Sequence, residues 1–306
     1  MKIAIIGRTE ILYETARFLH DRGFDIACVI TSKEAPEYTR TASDFIRLAE
    51  NLDVPFAKGS NIVDHMQLLR DSTPDIGISM NYTGIVPQDV IDIFPHGILN
   101  AHGGDLPRYR GNACQAWAIL AGESRIGLCV HRMIGGELDS GDIVARDYLP
   151  INISTKVTDI WRWMAKETPA LMYSALQEII KNPEFILERQ SLDPQDALRC
   201  YPRRPEDGKI DWHQAAVDII RLINASNKPY AGGFCDFNGH KMTIWEACLP
   251  SEGERFLAVP GQVTAVDECY IDVACGSGKI RVLKAEMNGH SAYPSTWVKS
   301  IRDRLK

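Results

Sequence analysis

The first 150 residues alternate short apolar runs with amphipathic segments, and that rhythm restricts the chain more than any other feature. Residues 2–7 (KIAIIG) are rich in β-branched side chains and stop at a glycine, the pattern of a buried strand. Residues 9–22 then carry Ile11, Leu12, Ala16, Phe18 and Leu19 at helical spacing. The alternation continues with a strand at 24–31, a helix at 42–52, a short strand at Val54-Pro55-Phe56 and a helix at 62–71. A strand at 75–80, a helix at 87–93 and a strand at 97–102 complete it. Short connections in this order predict an α/β fold, a Rossmann-like, mostly parallel sheet with helices on both faces. Ligands of such sheets lie at the carboxyl ends of strands, where Met80-Asn81-Tyr82 and Asn100-Ala101-His102 fall. The first β–α turn, Gly7-Arg8-Thr9-Glu10, lacks G-x-G-x-x-G and so supports no dinucleotide cradle.

The pattern changes after residue 124. Residues 125–133 and 142–151 read as two alternating strands joined by a Gly-rich loop, and a long helical segment follows over 155–181, kinked or split by Pro169. Residues 201–212, rich in Pro and charge, read as a linker. Beyond it a helix near 213–226 precedes five short strands separated by turn signals such as Asn238-Gly239. A small OB-like antiparallel β domain, partly closed as a barrel, is the expectation for 213–306. The chain of 306 residues thus divides into a domain over 1–200, the linker, and the β domain.

A net charge of −6 argues against a protein that coats nucleic acid or an anionic membrane, since such partners reward excess Lys and Arg. The eight cysteines form no CxxC pair and read as small buried residues with free thiols. No run reaches the roughly 20 apolar residues of a membrane span, and Met1-Lys2 precedes only a strand-length apolar run. A cytoplasmic protein is expected, with no metal site, because no His/Cys/Glu grouping has convincing spacing.

Two polar clusters stand out. In the first, residues 100–114, Asn100 and His102 share one face of a strand end, three glycines allow close backbone approach, and Arg108 and Arg110 add charge. The second, residues 135–142 (GGELDSGD), has the materials of a hairpin turn. Together they closely resemble the signature of the 10-formyltetrahydrofolate-dependent formyltransferases: Asn-x-His, then Leu-Pro-Arg-Tyr-Arg-Gly, then Leu-Asp-Ser-Gly-Asp some thirty residues on. That family includes enzymes acting on methionyl-tRNA, on glycinamide ribonucleotide and on sugars. The resemblance implies a catalytic trio of Asn100, His102 and Asp139 and 10-formyltetrahydrofolate as co-substrate. It implies folate contacts from Met80, Ile85 and Val86 in one loop and Gly136, Glu137 and Leu138 in another, and acceptor contacts from Arg108, Tyr109 and Arg110. One departure is Gly103-Gly104-Asp105-Leu106-Pro107, where the family often has Ser-Leu-Leu-Pro after the His; Asp105 puts fine specificity in question.

The chemistry suits these residue types. His102 can accept the proton of an attacking amine and pass it to the departing nitrogen, Asp139 can hold the imidazole and stabilise its cation, and Asn100 can offer N–H to an oxyanion. The segment 201–212 looks most like the linker of bacterial sugar formyltransferases of the aminoarabinose type. The acidic charge and the absence of a basic insert over Ser32 to Phe45 point the same way. The expected acceptor is therefore the amine of a nucleotide-linked amino sugar, for surface polysaccharide (lipopolysaccharide, O-antigen) synthesis. Methionyl-tRNA formyltransferase and a non-catalytic nucleotide- or sugar-binding protein stand as alternatives. The terminal run Val298, Ile301, Leu305 would pack within its own domain or against a second copy in a homodimer.

Overall fold

The computed structural model describes residues 1–191, 193–251 and 256–306, which divide into two compact units. The first comprises 1–114, 126–149 and 161–201; the second comprises 115–125, 150–160 and 202–306. Among the described residues, no helix is long and apolar enough to cross a membrane.

In chain order the elements up to residue 111 are β1 (Lys2–Gly7), α1 (Glu10–His20), β2 (Asp25–Thr31), α2 (Ala42–Asn51), β3 (Phe56–Lys58), α3 (Met66–Ser72), β4 (Ile76–Met80), α4 (Gln88–Ile91), β5 (Ile98–His102) and β6 (Tyr109–Gly111). There follow α5 (Cys114–Ala121), β7 (Arg125–Arg132), β8 (Ile143–Pro150), α6 (Val157–Lys181) and β9 (Leu198–Cys200). The main sheet runs β3-β2-β1-β4-β5-β7-β8. Pairings from β3 through β5 are parallel, and β7 joins β5 antiparallel. The chain therefore winds outward from β1 in both directions, and the carboxyl ends of β1, β4 and β5 share one edge, the place where such sheets hold ligands. The core beneath it is aliphatic: Ala4, Ile6, Cys28, Ile30, Leu69, Val90 and Ile98 pack in one cluster.

Three expectations need correction. The strand at 54–56 begins only at Phe56, because Pro55 cannot donate to the ladder and its carbonyl instead accepts Val29 N–H. β7 is buried along six consecutive residues rather than alternating, as befits a strand lying inside the sheet between β5 and β8. Pro169 sits inside one continuous 25-residue helix and does not split it.

The second unit carries α7 (Ala216–Ala225), then β10 (Gly233–Phe237), β11 (His240–Cys248), β12 (Val263–Val266), β13 (Ile271–Ala274), β14 (Lys279–Met287) and β15 (His290–Ala292). The antiparallel sheet runs β10-β11-β14-β13-β12. The last four residues link its two edges: Lys306 exchanges hydrogen bonds with Asp236 in β10, while Asp303 and Leu305 bond Val263 and Gly261 on the β12 side. The sheet thus closes through the carboxyl-terminal strap, and Val298 and Leu305 are buried in its core while Ile301 is exposed. Ile210 and Trp212, expected in a linker, are core residues of this unit. Of the eight cysteines, all free, only Cys248 and Cys269 are exposed.

Candidate active site

The carboxyl end of β5 supplies two side chains and the strand beside it a third. Antiparallel pairing sets Asn100 opposite His131 and His102 opposite Cys129. The loop from β7 to β8 then brings Asp139 over the same edge. Its backbone lies in the left-handed region, φ 49°, where Asp is tolerated better than most residues but at a cost of about 1 kcal/mol or more.

Asp139 is the hub. Its Oδ2 accepts Gly111 N–H at 2.9 Å and lies 3.5 Å from His102 Nδ1, and its Oδ1 lies 3.4 Å from His131 Nε2. Burial alone would raise its pKa, but the charges that His102 and His131 carry when protonated, the hydrogen bond that a protonated His131 Nε2 donates, and the Gly111 N–H outweigh it. The carboxyl is held well below the usual range. Cys114, which also borders Asp139, is pushed up by the adjoining Cys200 thiol and by burial, so it remains a neutral thiol.

The two histidines have different hydrogen-bond settings. His131 Nδ1 donates to the Arg132 carbonyl at 2.9 Å, which leaves Nε2 to accept from Asn100 Nδ2 at 3.1 Å. That bond fixes the Asn100 amide. Its second N–H has only a 3.5 Å approach to Asp139 Oδ1. His102 Nε2 donates to the Tyr109 carbonyl at 2.7 Å, so Nδ1, on the Asp139 side, is the nitrogen that can exchange a proton. Residue 104 must be glycine for this contact. A Cβ there would stand 2.4 Å from the Tyr109 carbonyl and 2.5 Å from His102 Nε2.

A cleft opens in front of the cluster, walled by Ser79, Asn81, Tyr82, Gly84, Ile85 and Val86 on one side and by Met133, Ile134, Glu137 and Leu138 on the other. Asn100, His102, His131 and Asp139 form its polar floor. The two walls are tied together: Gly136 N–H donates to the Val86 carbonyl at 3.1 Å, and Gly135 N–H to Gln88 Oε1 at 2.9 Å. At Gly135 a Cβ would meet Gln88 N at 2.3 Å, so a side chain there would force the walls apart.

The structure brings Asn100, His102 and Asp139 together. Of the residues expected to contact folate, Ile85, Val86, Glu137 and Leu138 line the cleft, Ile85 being 69% exposed. Met80 and Gly136 do not line it. Met80 is buried with its carbonyl accepting Arg8 N–H, and Gly136 joins the walls. Arg108, Tyr109 and Arg110 lie outside the cleft lining as well. Tyr109 is 3% exposed and works through its carbonyl on His102, while Arg110 donates to Gln190 at 2.9 Å. Arg108 is exposed at the start of this segment. Asp105 forms part of an ion-pair network, 3.7 Å from Arg146, which also pairs with Glu188 at 3.0 Å and donates to the Leu106 carbonyl. Two participants escaped the sequence reading, His131 and Gln190. The antiparallel register of 125–132 against 98–102 would have shown His131 beside Asn100; nothing local marks Gln190.

The sequence pattern described as "Formyl transferase" matches residues 1–176, and "Formyl transferase, C-terminal domain" matches residues 203–302. The chain belongs to the formyl transferase family. Its fold is similar to that of WlaRD, a sugar 3N-formyl transferase crystallised with dTDP and 5-N-formyl-THF, at 21% identity and a TM-score of 0.68, covering 95% of this chain and 98% of that one. An N-formyltransferase from Helicobacter canadensis in complex with folinic acid and dTDP-3-aminofucose gives 20% identity and a TM-score of 0.67, covering 92% and 99%. HypX from Aquifex aeolicus gives 17% identity and a TM-score of 0.62 over 98% of this chain, which spans 49% of the HypX length.

Proposed function

We propose that the protein transfers a formyl group from 10-formyltetrahydrofolate to the amine of a nucleotide-linked amino sugar. The observation that carries this reading is the convergence of Asn100, His102 and Asp139 on the floor of one cleft, within a chain of the formyl transferase family. The cleft suits a folate head group, a flat heterocycle with polar edges, because its polar floor of Asn100, His102, His131 and Asp139 is flanked by the apolar Ile85, Val86 and Leu138. When bound, the folate supplies the activated formyl carbon. His102 Nδ1 accepts the proton released as the amine attacks, with Nε2 anchored on the Tyr109 carbonyl. Asp139, anionic across the physiological range, stabilises the resulting imidazolium. The less engaged N–H of Asn100 is the donor for negative charge developing on the formyl oxygen. Each of these contributions is worth about 10²–10⁴ in rate. His131 holds the Asn100 amide in place.

Support for the sugar acceptor comes from charge and from fold. The chain has a net charge of −6, unsuited to many phosphate contacts. Solved folds similar to it over almost their whole length include a sugar 3N-formyl transferase and an N-formyltransferase in complex with dTDP-3-aminofucose. A nucleotide diphosphate needs only a few cations, and exposed Arg108 is a candidate among them. The test is tetrahydrofolate release when the protein is mixed with 10-formyltetrahydrofolate and a panel of nucleotide-linked amino sugars. Turnover with one or more sugars is expected. Turnover with methionyl-tRNA alone would overturn the acceptor assignment.

A further inference from the structure

The loop that carries Asp139 holds an Asp in a left-handed backbone conformation, and the bonds to its carboxylate do not by themselves fix that backbone. One buried side chain bonds to that backbone directly. Gln190 is 6% exposed, and its Nε2 donates to the Asp139 carbonyl at 2.9 Å and to the Gly141 carbonyl at 2.7 Å. Its Oε1 accepts Arg110 Nη2 at 2.9 Å, so both N–H groups and the carbonyl oxygen of the amide are satisfied. Gln190 is itself anchored. Its backbone N–H donates to Asp142 Oδ1 at 3.3 Å, and the preceding residues pair with the start of β8, where Ile143 N–H donates to the Glu188 carbonyl at 2.8 Å.

We propose that Gln190 is a positioning residue whose amide fixes the turn that presents the Asp139 carboxylate to His102 and His131. It does not line the cleft and acts only through Asp139. The inference rests on the functional reading above for its catalytic consequence, but its structural content stands apart from it. The two donated bonds explain why an amide is required. A Glu of equal size would keep Arg110 but turn an acceptor on two carbonyls, and a Met would fill the space with no donor at all.

The test uses the full chain with Gln190→Met and Gln190→Glu. Two quantities are read: kcat for formyl transfer, and the titration of Asp139 followed by its carboxyl ¹³C shift. The groups facing that carboxylate are His102, His131, the Asn100 amide and the Gly111 N–H, with the neutral Cys114 thiol in electrostatic reach. In both variants kcat should fall roughly 10- to 100-fold, as expected for a displacement near 1 Å, with Glu the worse. The Asp139 midpoint should rise toward the ordinary carboxylate value as its partners move away. An unchanged Asp139 titration in a folded variant overturns the proposal whatever the activity does, because a merely structural side chain would leave it alone. If only one variant folds, that variant decides. Should the wild-type protein transfer no formyl group to any amine, the functional reading fails, and the titration still decides the role of Gln190.

Discussion

Asp139 joins four groups that the chain delivers from three strands: Asn100 and His102 in β5, His131 in β7 and the Gly111 amide in β6. Its depressed pKa has a consequence for stability. A carboxylate held lower in the folded than in the unfolded chain contributes stability fully above the unfolded value, 3.8, and loses it as pH falls toward the folded value. Asp139→Asn should therefore melt below the wild type at pH 7, and the gap should narrow as pH drops below about 4, measured by thermal unfolding across that range. A gap that widens in acid would contradict the assignment. The trio itself was legible in the sequence because each residue lies inside an extended motif. His131 and Gln190 were not, since what places them is pairing across the sheet and a bond between residues far apart in the chain, neither of which leaves a local pattern.

At the scale of elements, the apolar spacing that marks each helix also marks the face it buries: in α1 the buried residues include Ile11, Leu12, Ala16 and Leu19. Helix α2 adds a start signal. Thr41 precedes it, and Asp44 accepts Thr41 N–H at 2.8 Å and Thr41 Oγ1 at 3.0 Å, with Arg47 at 2.8 Å. The Thr41 backbone N–H is the largest influence holding the Asp44 carboxyl down to about 2. Asp44→Ala should lower stability by about 1 kcal/mol, read as a fall in Tm with kcat unchanged. Helix periodicity survives translation into structure because it reports burial directly. The strand at 54–56 and the alternation in β7 failed for the complementary reason, that burial on both faces and the demands of a neighbouring ladder are set by the sheet as a whole.

At the scale of the whole molecule, each unit has its own core, and the second depends on its final residues. Leu305 is buried and its N–H donates to the Gly261 carbonyl at 2.8 Å, within the strap that links the sheet edges. Leu305→Ala should cost about 2–5 kcal/mol, visible as a lower urea midpoint for the transition of this unit. The strands of this unit and its partly closed form were readable from turn residues and apolar runs; that the final residues supply the closure was not, because the pairing of the strap with β10 and β12 leaves no local pattern. The most direct test of the account is single-turnover transfer of labelled formyl from 10-formyltetrahydrofolate to a nucleotide-linked amino sugar, run with the wild-type protein and with His102→Ala. Transfer by the wild type and a loss of at least about 10²-fold in the variant are expected. Equal rates in the two proteins would contradict the account.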